Sequence, residues 1–376
     1  MTTISNFHPP ASSAPTRRVV GCMTGTSLDA LDLALLEISG RGLTLTARLL
    51  RTHSEPLAVL APLLRACADQ SPLPAATFAG AAALLARLHA DAITTLLAGE
   101  RADLICVHGQ TIFHAPPLSW QLFSAPALAA AARTPVVFDL RAADLAAGGQ
   151  GAPITPLADL ILFGAPHPRA VVNLGGFCNL TLLPAVTTRA AARPLIRGFD
   201  VCACNHILDA VARIALHAPF DEDGAAAQRG TPHAPTAATL AALLTRQSAA
   251  ARSLGSGDEL TAFIQTAAAA LRPEDLAATA VDALARVITA RIPPHTETIL
   301  AGGGAKNRAL TAVLARHLGA TPRTTADFGI PIDMREAACM ALLGALCHDR
   351  VPITLPAVTG APREVISGCW AFAPDP

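Results

Sequence analysis

Apolar and polar positions along this chain fall into one scheme that occurs twice. From Val19 to Glu37, VVGCMTGTSLDALDLALLE, an apolar strand runs into a turn of Gly, Thr and Ser and then into a second strand of alternating character. From Ala170 to Leu183, AVVNLGGFCNLTLL repeats strand, small-residue turn and strand. A third unit, TILAGGGAKNRALTAVLARHL, joins a strand at Thr298 through three glycines to a helix starting near Asn307. Two strand–turn–strand units in separate halves, with one strand–glycine–helix unit, predict a duplicated ATP-binding chain that grips phosphates between two lobes.

The pattern between these units predicts the remaining elements. Gly40-Arg41-Gly42 is a hairpin signal before a strand Leu43–Leu50, and an Ala-rich helix follows from about Ala79 to Leu97. A strand Leu104–His108 delivers HGQTIFH to a loop, and Pro135–Asp139 is a continuously apolar, buried strand. DLRAADLAAGGQGAPITP carries too much Gly and Pro for core structure and is expected to cross between the lobes. Further on, helix signals begin near Asn205, a candidate cap. Ala-rich helices follow at roughly 234–250, 258–271 and 274–291, and the last long helix is Glu336–His348. The expectation is an α/β protein of two duplicated lobes, mixed sheets flanked by helices. Its expected divisions are a loose extension at 1–17, a first lobe at 18–140 to which 352–376 returns, and a second lobe at 141–351.

Composition narrows the class. At 376 residues the chain exceeds one core, in keeping with two lobes. The balance of 28 basic against 28 acidic residues argues against a nucleic-acid or anionic-membrane surface, which needs a one-sided excess. Nine cysteines, an odd number without a C-x-x-C pair, read as reduced and mostly buried thiols in a cytoplasmic protein. No uncharged apolar run approaches the ~18 residues of a membrane span, and the first residues lack the apolar stretch of a secretory signal.

Four groups of residues could carry chemistry. In CMTGTSLDALD, small residues allow close approach of an anion while Thr24, Thr26 and Ser27 supply hydroxyls. Asp29 and Asp32 could there hold Mg²⁺ through water. The plain alternative is a polar hairpin turn; the second copy of the scheme tips the reading toward phosphate. Asp200 lies where a strand ends near a helix start, and could accept a proton from water or a hydroxyl; alternatively it only caps the helix. Glu336, at the start of the last helix, has the same two readings. His108, Gln110, His114, Asp139, Arg141, Asp144 and Gln150 carry the donors and acceptors for a polyhydroxylated sugar, loop solvation being the better reading for His114. No Walker A sequence or dinucleotide G-x-G-x-x-G is present.

In their order, MTGTSLDALD, HGQTIFH, AAGGQGAP, NLGGFCNLTLL, GFD…N…LDA, FDEDG, AGGGAKN, GIPIDMREAACMALL and VTGA give a chain that resembles the anhydro-N-acetylmuramic acid kinases, of the sugar kinase–actin–heat-shock ATPase superfamily. The resemblance runs from about Val19 to the C-terminus. It implies two lobes with ATP and Mg²⁺ between them, and opening of the 1,6-anhydro ring with phosphorylation of O6 to give N-acetylmuramate 6-phosphate, in cytoplasmic recycling of cell-wall sugars. By that resemblance Gly25, Thr26, Ser27, Leu28, Asp29, Ala30, Leu31 and Asp32, with Gly175 and Gly176, cradle the phosphates. Gly302, Gly303, Gly304 and Asn307 lie near the nucleotide. Asp200 is the base, Glu336 helps to place sugar or water, and His108, Gln110, Asp139, Arg141 and Asp144 meet the sugar. The partners are a small-molecule sugar and, as a homodimer, a second copy of the chain; neither nucleic acid nor membrane is among them.

The chain also departs from the family's pattern. Cys202-Ala203 replaces Gly-Pro in the aspartate segment, Phe113 an arginine, and Ala142 and Ala143 two further arginines after Arg141. Ser124-Ala125-Pro126 and Ser253-Leu254-Gly255-Ser256-Gly257 replace two other stretches. Arginine is a bidentate anchor for phosphate and carboxylate that Ala and Phe cannot replace. The alternative is therefore a divergent paralogue with a changed sugar, or a catalytically weakened nucleotide-binding protein.

Overall fold

The alternating strand Thr16–Thr24 (β1) pairs antiparallel with Ala30–Ser39 (β2), which pairs antiparallel with Thr46–Pro56 (β3). The computed structural model describes residues 16–249 and 258–373. The substituted stretch Ser253–Gly257 and all but the last two residues of the expected extension lie outside them; Thr16 and Arg17 belong to β1. Leu104–Val107 (β4) joins β1 in parallel. Beyond it Gln110–Ala115 (β5) and Leu118–Leu122 (β6) form a separate two-stranded hairpin, and Val136–Phe138 (β7) pairs in parallel with β4. HGQTIFH is therefore mostly strand, where a loop was expected: its alternation pairs with the run LSWQL. The strand expected at Leu43–Leu50 starts later, after a 3₁₀ turn at Gly42–Thr44, and runs to Pro56.

The second sheet repeats the first. Arg169–Leu174 (β8), Phe177–Leu183 (β9) and Arg197–Ala203 (β10) are successive antiparallel neighbours. Glu297–Ala301 (β11) lies parallel to β8, and Arg323–Thr324 (β12) parallel to β11. Numbered within each half, both sheets read 3-2-1-4-5, and Cys369–Ala371 (β13) adds an antiparallel edge to β7 of the first. This is a mixed α/β fold of two duplicated halves.

Strand alternation decides how the layers stack. Val20, Cys22, Leu33 and Leu35 face outward onto the helices Leu60–Ala68, Ala75–Leu97 and Ala125–Ala132. Val172, Leu180 and Leu300 of the second sheet likewise pack on the helices Pro273–Thr289 and Arg308–Leu318. The opposite faces, with Val19, Leu36 and Cys106 from one sheet and Val171, Leu183 and Ile299 from the other, share a core with the helices Pro156–Phe163 and Arg335–His348. Arg335–His348 is buried from Ala337 to Cys347 with no polar face, as a helix enclosed on all sides must be. It crosses β1 at Gly21, where a Cβ would stand 2.0 Å from the Ala337 carbonyl oxygen, so only glycine admits the helix this close.

Charge inside this core is paired, as burial requires. Arg335 is 1% exposed and grips Asp159 with two nitrogens, Nε to Oδ1 at 2.9 Å; Asp159 also accepts from Thr181 Oγ1 at 2.8 Å. One ion pair thus ties Pro156–Phe163, β9 and the start of Arg335–His348 together, directly beside Glu336.

Candidate active site

A cleft of about 630 Å³ opens between the two sheets. Its walls come from the β1–β2 turn (Gly25, Thr26, Ser27), the β8–β9 turn (Gly175, Gly176), the β5–β6 hairpin and the segment after β7. The two glycine turns therefore face one cavity from opposite halves. Gly176 sits against the His206 ring, which a Cβ would meet at 2.6 Å.

At the cleft lie Asp200, Glu336 and Arg141, from three distant parts of the chain. Asp200 is not at a strand end as expected. It sits inside β10, where the pairing with β9 shifts register between Asp200 and Cys202, and such an irregularity re-aims side chains. The bulge forms with Cys202 buried opposite Cys178, without a glycine or proline at that point. Burial pushes the Asp200 carboxyl above the usual carboxylate range, and Arg141 pulls it back. Glu336, in the first turn of its helix, is also pushed up by burial, against Arg335 and Arg141; Asn173 Nδ2 donates to its Oε1 at 3.5 Å.

Arg141 is the organising cation. Its Nε and Nη2 reach His108 Nε2 at 3.2 and 2.9 Å, and its Nη1 donates to the Gly151 carbonyl at 2.7 Å. His108 Nε2 is then the acceptor and Nδ1–H donates to the Gly109 carbonyl at 2.8 Å, which assigns the neutral tautomer. Burial, and then Arg141, lower His108 to about 3. Burial lowers Arg141 to about 10, with Glu336 and Asp200 working the other way, so it stays charged at neutral pH. Gln110 is 1% exposed, borders the cleft, and its Oε1 has no hydrogen-bond partner among the described residues. A buried unpaired carbonyl there is an acceptor waiting for a hydroxyl.

Other candidates fall elsewhere. Asp144 does not border the cleft. It is 1% exposed and accepts from Gly151 N and Thr359 Oγ1, each at 2.8 Å, stapling the glycine-rich crossover that carries Arg141's partner Gly151. Asp139 holds a left-handed backbone (φ 50°) just beyond β7, also away from the cleft. Asn307 caps the helix Arg308–Leu318, its Oδ1 accepting from Leu310 N at 2.9 Å. Asn205 is not a cap: its side chain donates to the Leu174 carbonyl at 3.1 Å, beneath the second glycine turn. Gly302 and Gly304 pack against Leu174 and Asn173 or Asn205, whereas Gly303 is exposed, and a Cβ there would come no closer than 3.9 Å to Asn205 Nδ2. Leu28 and Leu31 are core, Ala30 is half-buried in β2, and His114 Nδ1 lies 2.8 Å from Ser119 Oγ at the cleft edge.

Asp29 is exposed, its Oδ1 accepting from Ser27 Oγ at 2.5 Å and Ala30 N at 3.1 Å. Asp32 accepts from Ser54 Oγ at 2.7 Å. Burial raises Asp32 to about 6, a rise that Asp29, Asp333 and Glu336 reinforce. Among the described residues no three His, Cys, Asp or Glu are grouped as a protein-only metal site. The negative field at Asp32 nevertheless fits a cation held by one or two carboxylates, water and substrate phosphate, which is how Mg²⁺ prefers to bind.

Sequence reasoning missed Asn173, Arg335, His206 and Thr155, which borders the cleft and accepts from Arg335 Nη2 at 3.2 Å. Asn173 and His206 sit inside quoted motifs, so their spacing from the glycine turn was the available signal. Nothing local marks Arg335 as the partner of Asp159.

A repeated 3-2-1-4-5 sheet whose glycine turns meet across a cleft is the build of the actin-like sugar kinases. Residues 17–373 match the family described as anhydro-N-acetylmuramic acid kinase. Proteins of that name from Acaryochloris marina and Bordetella pertussis are 36% and 37% identical to this chain, covering 93% and 97% of it and 98% of each relative. Component A of the (R)-2-hydroxyglutaryl-CoA dehydratase of Acidaminococcus fermentans is a remote structural likeness, at 14% identity over 88% of this chain and 98% of that one, with a TM-score of 0.48. The chain belongs to the anhydro-N-acetylmuramic acid kinase family. It is a sugar kinase that uses ATP, and among the described residues no helix is long and apolar enough to cross a membrane.

Proposed function

We propose that the protein opens 1,6-anhydro-N-acetylmuramic acid with water and phosphorylates O6 from ATP, giving N-acetylmuramate 6-phosphate in cytoplasmic cell-wall recycling. The observation that carries this reading is the convergence of Asp200, Glu336 and Arg141 on one cleft, between the two glycine turns. Asp200 takes a proton from water as the water oxygen bonds to the anomeric carbon. The bond from that carbon to O6 breaks, and O6 bonds to the γ-phosphorus as ADP leaves; the proton on Asp200 passes to solvent. Raised by burial, Asp200 is a stronger base than an ordinary carboxylate. Glu336, steered by Asn173 and Arg141, orients the sugar or the water. Gln110 Oε1 accepts a sugar hydroxyl, and neutral His108 holds Arg141 in place. The backbone of Gly25–Ser27 and Gly175–Gly176 lies along the phosphate chain, and the open side of Gly303 leaves room for the nucleoside. Asp29 and Asp32 would hold Mg²⁺ through water, and the ion would neutralise phosphate charge.

The test is ADP release and product mass with the purified protein, Mg-ATP and the anhydro sugar. Turnover is expected in the wild type, and Asp200→Asn should lose it by ~10³-fold or more while still binding ATP. Full activity in Asp200→Asn removes its role as base. A wild type that binds ATP but leaves the anhydro sugar intact removes the substrate assignment.

A further inference from the structure

A second chamber, of about 340 Å³, adjoins the cleft and shares Thr26, Gln110, Thr111 and Phe177 with it as walls. Its floor is apolar, from Leu28, Ile207, Leu260 and Ile264, and its charge is uneven: Arg65, His206 and Arg213 stand against Asp69 alone. The two arginines come from opposite lobes. Arg65, on the helix Leu60–Ala68, donates from Nη2 to the Ser27 carbonyl at 2.8 Å and so touches the first glycine turn. His206, on the helix Asn205–Val211, backs Gly176 of the second glycine turn and meets the Phe177 ring edge-on at 4.8 Å. Arg213 lies on the continuation of that helix and, among the described residues, makes no hydrogen bond or ion pair; Asp209 is the nearest acid on its own element. Burial first, and then Arg65 and Arg213, disfavour the protonated form of His206, so three cationic or potentially cationic groups stand close together, with Asp69 on the chamber wall and Asp209 near Arg213 as the acids beside them.

We propose that Arg65 and Arg213 form a two-lobe clamp on a phosphate group of the nucleotide, seated where this chamber meets the glycine turns. The proposal rests on the function proposed above and adds two binding residues to it. Guanidinium groups suit phosphate because their planar fork gives parallel charge-assisted hydrogen bonds. Arg65 commits one nitrogen to the turn and keeps the rest of its fork. Repulsion between arginines on opposite lobes favours the open arrangement, and an anion between them reverses that preference, so binding the phosphate also draws the lobes together.

Calorimetric titration of wild type, Arg213→Gln, Arg65→Gln and the double variant with Mg-ADP, adenosine and inorganic phosphate tests this without any acceptor sugar. Each single variant should weaken ADP about tenfold, in line with the loss of a charge-assisted hydrogen bond, with adenosine unchanged; Arg213→Lys should recover part of the loss. Arg213→Gln is the decisive variant, because its side chain does not touch the phosphate turn. Weakened inorganic phosphate with unchanged ADP would keep the phosphate site but overturn its assignment to the nucleotide. Unchanged binding of both, or an equal loss for adenosine, overturns the clamp. Turnover on the anhydro sugar is read separately, so the clamp can fail while the proposed reaction stands, and the reverse. A wild type that binds neither ADP nor phosphate overturns both.

Discussion

Gly21→Ala tests whether the buried helix Arg335–His348 sets the position of Glu336. The added Cβ would lie 2.0 Å from the Ala337 carbonyl oxygen and 2.3 Å from the Ala341 nitrogen, both rigid helix backbone. Ordinary contact begins near 3.4 Å, so the helix must retreat by about 1.4 Å or β1 must bend away. Overpacking of this kind costs about 1–3 kcal/mol, and the melting temperature should fall by several degrees. The functional effect should be larger, because Glu336 is one residue from Ala337 on the displaced helix. A misplacement of about 1 Å at a reacting centre can cost ~10²-fold, and the loss should fall on kcat more than on the KM for ATP. Gly80→Ala is the control: in the helix Ala75–Leu97 its Cβ meets nothing within 4 Å, so the exchange should be neutral or stabilising by up to ~1 kcal/mol. Steady-state kinetics beside thermal melts would decide the matter. A Gly21→Ala protein with unchanged melting and unchanged kcat refutes the helix as the seat of Glu336.

Two further outcomes follow from burial. Asp32 is raised to about 6, so the proposed Mg²⁺, if held through it, would compete with a proton below that pH. The Mg²⁺ concentration for half-maximal ATP turnover should rise as pH falls from 7 to 5, and Asp32→Asn should flatten the dependence; an unaltered slope in that variant would make Asp32 structural. His89 is fully enclosed, its Nδ1 2.8 Å from the Leu85 carbonyl, and burial lowers it to about 4. Its folded pKa lies below the ordinary 6.5, so the unfolded state binds the extra proton and stability falls as pH drops from about 6.5 toward 4, by roughly 3 kcal/mol at pH 4. Urea melts of wild type and His89→Gln should show a smaller loss in the variant, and equal losses would assign the acid sensitivity elsewhere.

The duplicated sheets were legible because each strand–turn–strand unit announces itself locally. Alternation at Leu31–Leu36 and in β8–β9, each beside a small-residue turn, needs no partner to be recognised. The long Ala-rich helices were legible for the same reason, and Pro273–Thr289 lies within a residue or two of its expected range. The pairings were not. Asp159 and Arg335 are 176 residues apart, and no periodicity tells a buried acid that its arginine comes from the other end of the chain. Asp144 shows the same blindness: a carboxylate in a glycine-rich segment reads as a sugar ligand, until Thr359 and Gly151 are found occupying both of its oxygens. Polar residues in irregular stretches are ambiguous because their hydrogen bonds, unlike those of a strand, are not implied by their neighbours in sequence.

Asp200 shows how placement changes the chemical argument even where the residue is the expected one. At a helix N-terminus, partial positive charge would hold its carboxylate ionised and make it a weak base. Inside β10, at the register shift, burial acts first and raises it, with Arg141 as the opposing charge. Arg141 in turn is fixed by His108 and by the Gly151 carbonyl, and the loop carrying that carbonyl is stapled by Asp144. Burial is thus the larger influence on Asp200, and the charge that opposes it is held in place by a chain of contacts running from Thr359 through the crossover to Arg141. Its neighbours Ala142 and Ala143 lie on the short helix Ala142–Ala146 and are not part of that chain of contacts. Arg141 itself has every guanidinium nitrogen engaged, with His108 and the Gly151 carbonyl.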